Sequence, residues 1–348
     1  MVTLANGFAA RGHTVDLVLA SAEGPYLKDV SPAVRLVDLR ARRVSSSLPR
    51  LVCYLKREKP AALLSAMGHA NVVAVAARVL ARAPTRVVVS ERNNFSASGG
   101  YSRSSRRRLT ARLMRHLYRR ADGVIAISVG VADDLATSIG LPRDCIDVVY
   151  NPALTEAVIR LSGEPCHHPW LQPGQPPVIL AVGRLVPQKD FSTLIQAFAR
   201  LRERHEARLL ILGEGDLRRA LEAKVSALDL NDAVALPGFT DNPFSHMRRA
   251  SMFVLSSGWE GFGNVLVEAM ACGTPVVSTD CPSGPAEILE HGKWGRLVPM
   301  GDVEALADAM VATLGETKHP DVASRAAQFN VDHAVLGYLE VMLRGSKG

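Results

Sequence analysis

Short apolar runs alternate along this chain with longer segments of helical periodicity, and that alternation restricts the fold more than any other feature. Strands apolar on both faces need helices to cover them, so the pattern argues for parallel sheets with helices on both sides. In the first half the reading is helix Val2 to Ala10, strand Thr14 to Ala20, strand Val34 to Leu39, and helix Leu48 to Glu58 closed by Pro60. Strand Ala62 to Ala66, helix Asn71 to Leu80 and strand Arg86 to Val89 follow, then a basic helix. Strand Gly123 to Ile127, helix Val129 to Ser138 and strand Ile146 to Val149 end this half at Asn151-Pro152. A polar, proline-rich stretch leads to a second series: strand Val178 to Val182, helix Phe191 to His205, strand Arg208 to Leu212, helix Asp216 to Leu228 and strand Ala233 to Leu236. Strand Met252 to Leu255, helix Asn264 to Ala271, strand Pro275 to Ser278 and two helical segments complete the chain. The expected class is α/β, with two Rossmann-like doubly wound parallel-sheet domains facing a cleft. Their bounds are 1–152 and 178–330, with 153–177 as linker and a terminal helix over 331–348 packing back on the first domain.

A doubly wound domain ordinarily opens on a central strand and a glycine-containing turn. This chain opens on the helix that should follow them. The expectation is a first domain whose first strand is missing from these residues.

The 348 residues are 47% hydrophobic, enough for two proper cores. No apolar run reaches the length of a membrane span; the closest, Ala61 to Ala77, is interrupted by His69 and Asn71. The N-terminus shows no charged-then-apolar leader, and five cysteines without paired spacing read as free thiols in a reducing cytoplasm. Cys166-His167-His168 lies among prolines with no second ligand pair, so it reads as a loop and no metal site is expected.

Charge is uneven. Residues 1–152 hold 23 Lys+Arg against 11 Asp+Glu, a net of +12, and the remainder holds 18 against 23, a net of −5. Arg103 to Arg120 alone carries eight arginines and no acid. On a helix, Leu109, Leu113, Met114, Leu117 and Tyr118 fall on one side, with Arg108, Arg112, Arg115 and Arg119 opposite. A merely solvated basic face competes with a surface for anionic lipid, which is the preferred reading. Nucleic acid is disfavoured by the lack of any binding motif or stacking aromatics nearby.

The chemistry gathers at Trp259 to Glu268, Trp-Glu-Gly-Phe-Gly-Asn-Val-Leu-Val-Glu. Gly261-Phe262-Gly263 reads as a strand-to-helix turn, and small residues at a helix start make a ready anion site. Glu260 before it and Glu268 inside the helix suit hydroxyl-rich groups on either side of a diphosphate. The bland alternative is two ordinary surface glutamates. Arg184 and Lys189, after the first strand of this half, could hold and neutralise a leaving diphosphate. Gly213-x-Gly215 invites a dinucleotide reading, but Arg218 stands where a third glycine belongs, which argues against NAD. No Asp-x-Asp pair occurs, so a metal-held diphosphate is not expected.

Several stretches together resemble the retaining glycosyltransferases of family 4, with the GT-B fold. They are Val182-Gly183-Arg184-Leu185-Val186-Pro187-Gln188-Lys189-Asp190, Gly213-Glu214-Gly215, Gly238-Phe239, Glu260 with Glu268, the run Ala269 to Val277, and Gly284-Pro285-Ala286-Glu287-Ile288. Nearly all of residues 178–300 are covered. Ser90-Glu91-Arg92-Asn93 in the first half looks like members that extend glycans on lipid-diphosphate carriers.

The resemblance implies that Glu268 holds the ribose of a nucleotide, and that Arg184 and Lys189 hold its diphosphate with the amides around Gly263, Asn264 and Val265. Glu260 would bind the donor sugar as a positioning residue, and Gly238-Phe239 would line the base pocket through backbone. Gly183, Gly213, Gly215, Gly261 and Phe262 complete the donor set, and His69 matches a histidine that reaches the sugar in relatives. The implied reaction is metal-independent transfer with retention, of a sugar such as an N-acetylhexosamine, from a UDP-sugar to a glycan acceptor. That acceptor would be lipid-linked, and the enzyme peripheral on the inner face of the cytoplasmic membrane, in surface polysaccharide biosynthesis. No cofactor is implied beyond the donor substrate. The alternatives are a catalytically inactive nucleotide-sugar-binding protein and, more remotely, an NAD-dependent enzyme.

Overall fold

The computed structural model describes residues 1–98 and 105–345, which divide into two units, Met1–Pro152 with Val331–Gly348, and Ala153–Asn330. Both are built on parallel strands. The second contains a six-stranded sheet formed by β7 (Val178–Val182), β8 (Arg208–Leu212), β9 (Val234–Gly238), β10 (Met252–Leu255), β11 (Val276–Thr279) and β12 (Arg296–Val298). Their spatial order is β12-β11-β10-β7-β8-β9. The chain therefore winds outward from β7 in one direction, then crosses back to β10 and winds in the other. That reversal sets a topological switch point between β7 and β10, and open α/β sheets bind ligands beyond the carboxyl ends of the strands there. Residues of β7, β8 and β10 such as Ile179, Leu209, Ile211 and Met252 are fully buried with Leu194, Ile195 and Phe198 of the helix Phe191–Arg202.

The first unit has its sheet in two pieces. β1 (Val15–Leu19) pairs in parallel with β2 (Val34–Asp38), while β3 (Ala62–Ala66), β4 (Arg86–Glu91), β5 (Gly123–Ala126) and β6 (Ile146–Val148) form a second parallel set. The helices Val2–Ala10 and Val331–Leu343 pack together over one face, burying Leu4, Phe8, Val335 and Tyr338 with Val88 and Ile125. The helix Leu48–Glu58 contributes Leu51, Tyr54 and Leu55 to a separate cluster with Ala77 and Ala81 of the helix Gly68–Ala81.

The stretch expected as a linker is instead structured. Thr155 caps the helix Glu156–Ser162 by accepting from the Val158 amide, and Asn242 Nδ2 donates to the Leu161 carbonyl at 2.9 Å. Residues 153–177 thus belong to the second unit. The Cys166–His168 segment is irregular, His168 Nδ1 accepts from the Trp170 amide, and no metal-ligating cluster occurs among the described residues. No described helix is long and apolar enough to cross a membrane.

The basic helix spans Ser105–Tyr118, with Met114, Leu117 and Tyr118 buried. Leu113 was expected on that apolar side but is 47% exposed. A helix turns about 100° per residue, so a stripe centred on 114, 117 and 118 rotates 113 to its margin. Arg112, Arg115 and Arg119 are exposed, as expected. The side chains of Arg108 and Leu109 lie outside the described residues.

Candidate active site

At the carboxyl end of β7 the chain runs through Gly183 and Arg184 into a 3-10 turn, Pro187–Lys189, and Asp190 then caps the next helix. Asp190 sits in the left-handed region (φ 41) and accepts from the Thr193 amide at 3.2 Å and its hydroxyl at 2.7 Å. At the end of β10, residues 256–263 descend into the helix Asn264–Ala271. The two segments are tied directly. The Gly258 amide donates to the Gln188 carbonyl, Gln188 Nε2 to the Trp259 carbonyl, and Ser256 Oγ to the Lys189 carbonyl, at 2.7 to 2.8 Å. The switch point between β7 and β10 is thereby closed into one polar floor.

Lys189 and Glu260 meet on that floor. Lys189 Nζ donates to Glu260 Oε1 at 2.5 Å, and Ser257 Oγ donates to the same oxygen at 2.7 Å. Both partners are largely buried, with side chains 16% and 9% exposed. A charge pair in low dielectric holds its geometry only when hydrogen bonds support it, and Ser257 supplies one. Arg184, by contrast, is exposed. The lysine stem lies over Gly183, where an added Cβ would come within 3.1 Å of Cε.

Glu268, one helical turn deeper, is mostly buried. Burial pushes its carboxyl pKa up to about 7, with the Lys189 charge opposing the rise. The sign for stability follows directly. The folded state binds the proton more tightly than the unfolded chain, so the penalty is absent below about pH 4.5 and grows as pH rises to 7. Glu268→Gln is therefore expected to raise the melting temperature at pH 8 and leave it nearly unchanged at pH 4.5. Equal shifts at both pH values, read by calorimetry, would show that the carboxyl is not strained by burial.

Two of the glycines expected to touch donor, Gly213 and Gly215, have a local task in the fold. An added Cβ on Gly213 (φ 143) would stand 2.0 Å from the Gly183 carbonyl oxygen, and one on Gly215 would stand 2.5 Å from that of Leu185. They let the turns after β7 and β8 lie backbone against backbone. Arg218 begins the following helix and is bound to Glu214, Glu222 and the carbonyls of Gly213 and Leu236. At the end of β9, Gly238 is buried and Phe239 is 74% exposed. Gly263 takes φ 98 at the head of its helix, Asn264 is exposed, and Val265 is partly buried. The Phe262 ring is 2% exposed and packs edge-on against Phe329 at 5.3 Å. Gly261 is also buried.

Arg184, Lys189, Glu260 and Glu268 thus belong to one unit and to neighbouring segments of it. His69 belongs to the first unit, exposed at the start of the helix Gly68–Ala81, just after Met67 in the left-handed region (φ 79). That helix start is held by Asn71, whose Nδ2 donates to the Ser90 carbonyl and to Glu91, both at 3.0 Å. The Tyr118 hydroxyl also donates to Glu91, whose carboxyl burial pushes upward. Arg92 donates to Asn151 Oδ1 at 2.7 Å. Sequence reasoning assigned no hydrogen-bonding role to Ser256, Ser257, Gln188, Asn71 and Tyr118. Their partners lie between 3 and 71 positions away, which local pattern does not reveal.

Comparison with known proteins matches residues 1–156 to the model of Glycosyltransferase Family 4 and residues 166–328 to that of Glycosyl transferases group 1. The chain is 32% identical over 254 residues to N-acetylgalactosamine-N,N'-diacetylbacillosaminyl-diphospho-undecaprenol 4-alpha-N-acetylgalactosaminyltransferase of Campylobacter jejuni, covering 72% of this chain and 66% of that relative. It is 29% identical over 315 residues to the lipopolysaccharide core biosynthesis glycosyltransferase LpsE of Rhizobium meliloti, covering 89% and 82%. The solved structure of Anabaena Alr3699/HepE in complex with UDP superposes with a TM-score of 0.74 at 20% identity, over 97% of this chain and 92% of that one, a likeness of fold. With both halves matched by glycosyltransferase models, a relative 32% identical over 72% of the chain, and a likeness of fold over nearly its whole length, the protein belongs to glycosyltransferase family 4, of GT-B fold.

Proposed function

We propose that the chain transfers a sugar, an N-acetylhexosamine, from a UDP-sugar to a glycan carried on a lipid diphosphate, with retention at the anomeric carbon and without a metal. The observation that carries this reading is the Lys189–Glu260 pair, a cation and a carboxylate held side by side at the switch point of the second unit. Two relatives support the substrates: the Campylobacter enzyme acts on a diphospho-undecaprenol glycan, and the Anabaena protein was solved with UDP.

In this scheme Lys189 and Arg184 hold the diphosphate and Glu268 accepts from the ribose hydroxyls. Glu260, steadied by Ser257, positions the donor sugar. The acceptor hydroxyl forms the new bond to the anomeric carbon as the bond to the β-phosphate oxygen breaks. Its proton passes to that leaving oxygen on the same face, and UDP departs with its charge matched by the two cations. Incubation with a UDP-sugar and a lipid-diphosphate glycan should give a product of unchanged anomeric configuration by NMR; an inverted product would end this scheme.

One observation favours a second reading, binding of the nucleotide sugar without transfer: the first unit's sheet is split. UDP binding with neither transfer nor donor hydrolysis would mark that case.

The exposed arginines on the helix Ser105–Tyr118 and just beyond it support a peripheral place on the cytoplasmic face of the membrane. Each would contribute on the order of 1 kcal/mol at an anionic surface, declining with salt within a Debye length of roughly 8 Å. Co-sedimentation with anionic liposomes should fall sharply when Arg108, Arg112, Arg115 and Arg119 are changed together to Gln. Equal binding by both proteins would leave these arginines a solvated face.

A further inference from the structure

The short helix Val322–Ala326 carries one arginine, Arg325, into the interior of the second unit, where it is 8% exposed. A guanidinium cannot shed its charge, so burial this deep requires partners for nearly every donor. Arg325 has them. Its Nε donates to the Ile288 carbonyl at 2.9 Å and Nη2 to the Glu287 carbonyl at 2.7 Å. Nη1 donates to Gln328 Oε1 and pairs with Glu290 Oε1 at 3.0 Å. The centre of the group stands over the Phe329 ring, 4.8 Å from its centroid.

The two carbonyls and the ring both lead to the turn before Asn264. Glu287 and Ile288 end the single helical turn Pro285–Ile288, and the last carbonyls of a helix must find partners outside it. At the head of that turn Gly284 lies so close to Phe262 that an added Cβ would stand 1.8 Å from the Phe262 carbonyl oxygen. Just before it, the Pro282 carbonyl accepts from the Glu260 amide at 3.2 Å. By the second route, Phe329 is 3% exposed and meets the Phe262 ring edge-on. The Phe329 carbonyl accepts from the Leu154 amide at 3.0 Å, which fixes the backbone that carries the ring. Residues 261–263 are thus held through backbone by 282–288 and through one ring by Phe329. A single guanidinium holds both supports.

We propose that Arg325 is a positioning residue of the donor site, holding the turn at 261–263 and the amides of Gly263, Asn264 and Val265 aimed at a nucleotide diphosphate. It acts through the Glu287 and Ile288 carbonyls and the Phe329 ring, and it rests on the reading of that turn as part of the donor site. Arginine alone suits the task. Its planar fork reaches two successive carbonyls while its face covers an aromatic ring, whereas lysine carries its three donors on one atom. Precision matters here because backbone amides stabilise a phosphate only when they are already aimed at it. A turn free to shift by a fraction of an ångström loses affinity before the unit loses its fold.

Arg325→Met keeps an unbranched apolar stem and removes the fork. Its affinity for UDP, titrated by calorimetry at a temperature where the protein is folded, should fall by about tenfold or more. Hydrogen exchange at the amides of residues 262–265, without nucleotide, should quicken by about tenfold as well. Leu201→Ala, a cavity variant at a fully buried position of the helix Phe191–Arg202, destabilises the same unit and should leave both quantities unchanged. Arg325→Lys should recover little of the loss. If Arg325→Met fails to fold, Phe329→Leu carries the test: it removes the ring, keeps an apolar side chain and should weaken UDP binding by about threefold or more. Wild-type affinity and exchange in the variant that folds, or an equal loss in Leu201→Ala, overturns the proposal. A wild-type chain that binds no UDP overturns the donor reading itself, and this proposal with it.

Discussion

Lys189→Ala is expected to lower turnover by about 10²-fold or more, because on the proposed reading it removes the cation that meets the charge of the leaving diphosphate. It should also destabilise the second unit by about 3 kcal/mol, since Glu260 would keep its buried carboxylate with the Ser257 hydroxyl and no cation. Arg184→Ala separates the two effects. Arg184 is exposed, so its loss should reduce turnover comparably while shifting stability by no more than about 0.5 kcal/mol. Steady-state kinetics and denaturant unfolding read both. Near-normal turnover in either variant would remove that residue from the diphosphate site.

Gly284→Ala should damage the site without touching any charged group in it. Gly284 has φ 107, and an added Cβ would lie 1.8 Å from the Phe262 carbonyl oxygen and 2.4 Å from its carbon. All the nearest atoms are backbone, so no side chain can rotate aside. Either the turn at 261–263 or the segment at 282–285 must shift, and the Glu260 amide hydrogen-bonded to the Pro282 carbonyl at 3.2 Å moves with it. A loss of about 3 kcal/mol or more is expected from overpacking and backbone strain together, with a marked drop in nucleotide affinity. Gly273→Ala is the control: its φ is also positive at 78, but open space surrounds it. Comparable loss of nucleotide affinity in both variants would show that backbone strain alone, and not the crowding at Phe262, is responsible.

Much of this was legible because strands and helices carry periods that local residues fix. Val178–Val182 and Arg208–Leu212 have the bounds their apolar runs suggest, as does the helix Leu48–Glu58 closed before Pro60. The order β12-β11-β10-β7-β8-β9 was not legible, since strand neighbours are chosen by packing over long separations. The same reason hid the Ser256 and Gln188 bonds that join the two turns. Gly213 and Gly215 were visible as glycines, but their task of close backbone approach needed coordinates. The helix Glu156–Ser162 was obscured by the proline-rich residues after it, although Thr155 and Glu156 form an ordinary helix start. Leu113 shows the limit of face assignments when a stripe is narrow.

On the proposed reading, Arg184, Lys189 and the turn before Asn264 form a diphosphate cradle that needs no metal. Calorimetric titration with UDP in the presence of EDTA, for the wild-type chain beside Lys189→Ala, tests it most directly. Saturable binding is expected for the wild type, tighter than for GDP or ADP, unchanged by added magnesium and weakened about tenfold or more in the variant, as loss of a charge-assisted contact requires. Binding that appears only with a divalent metal, or that is the same with and without Lys189, would contradict it.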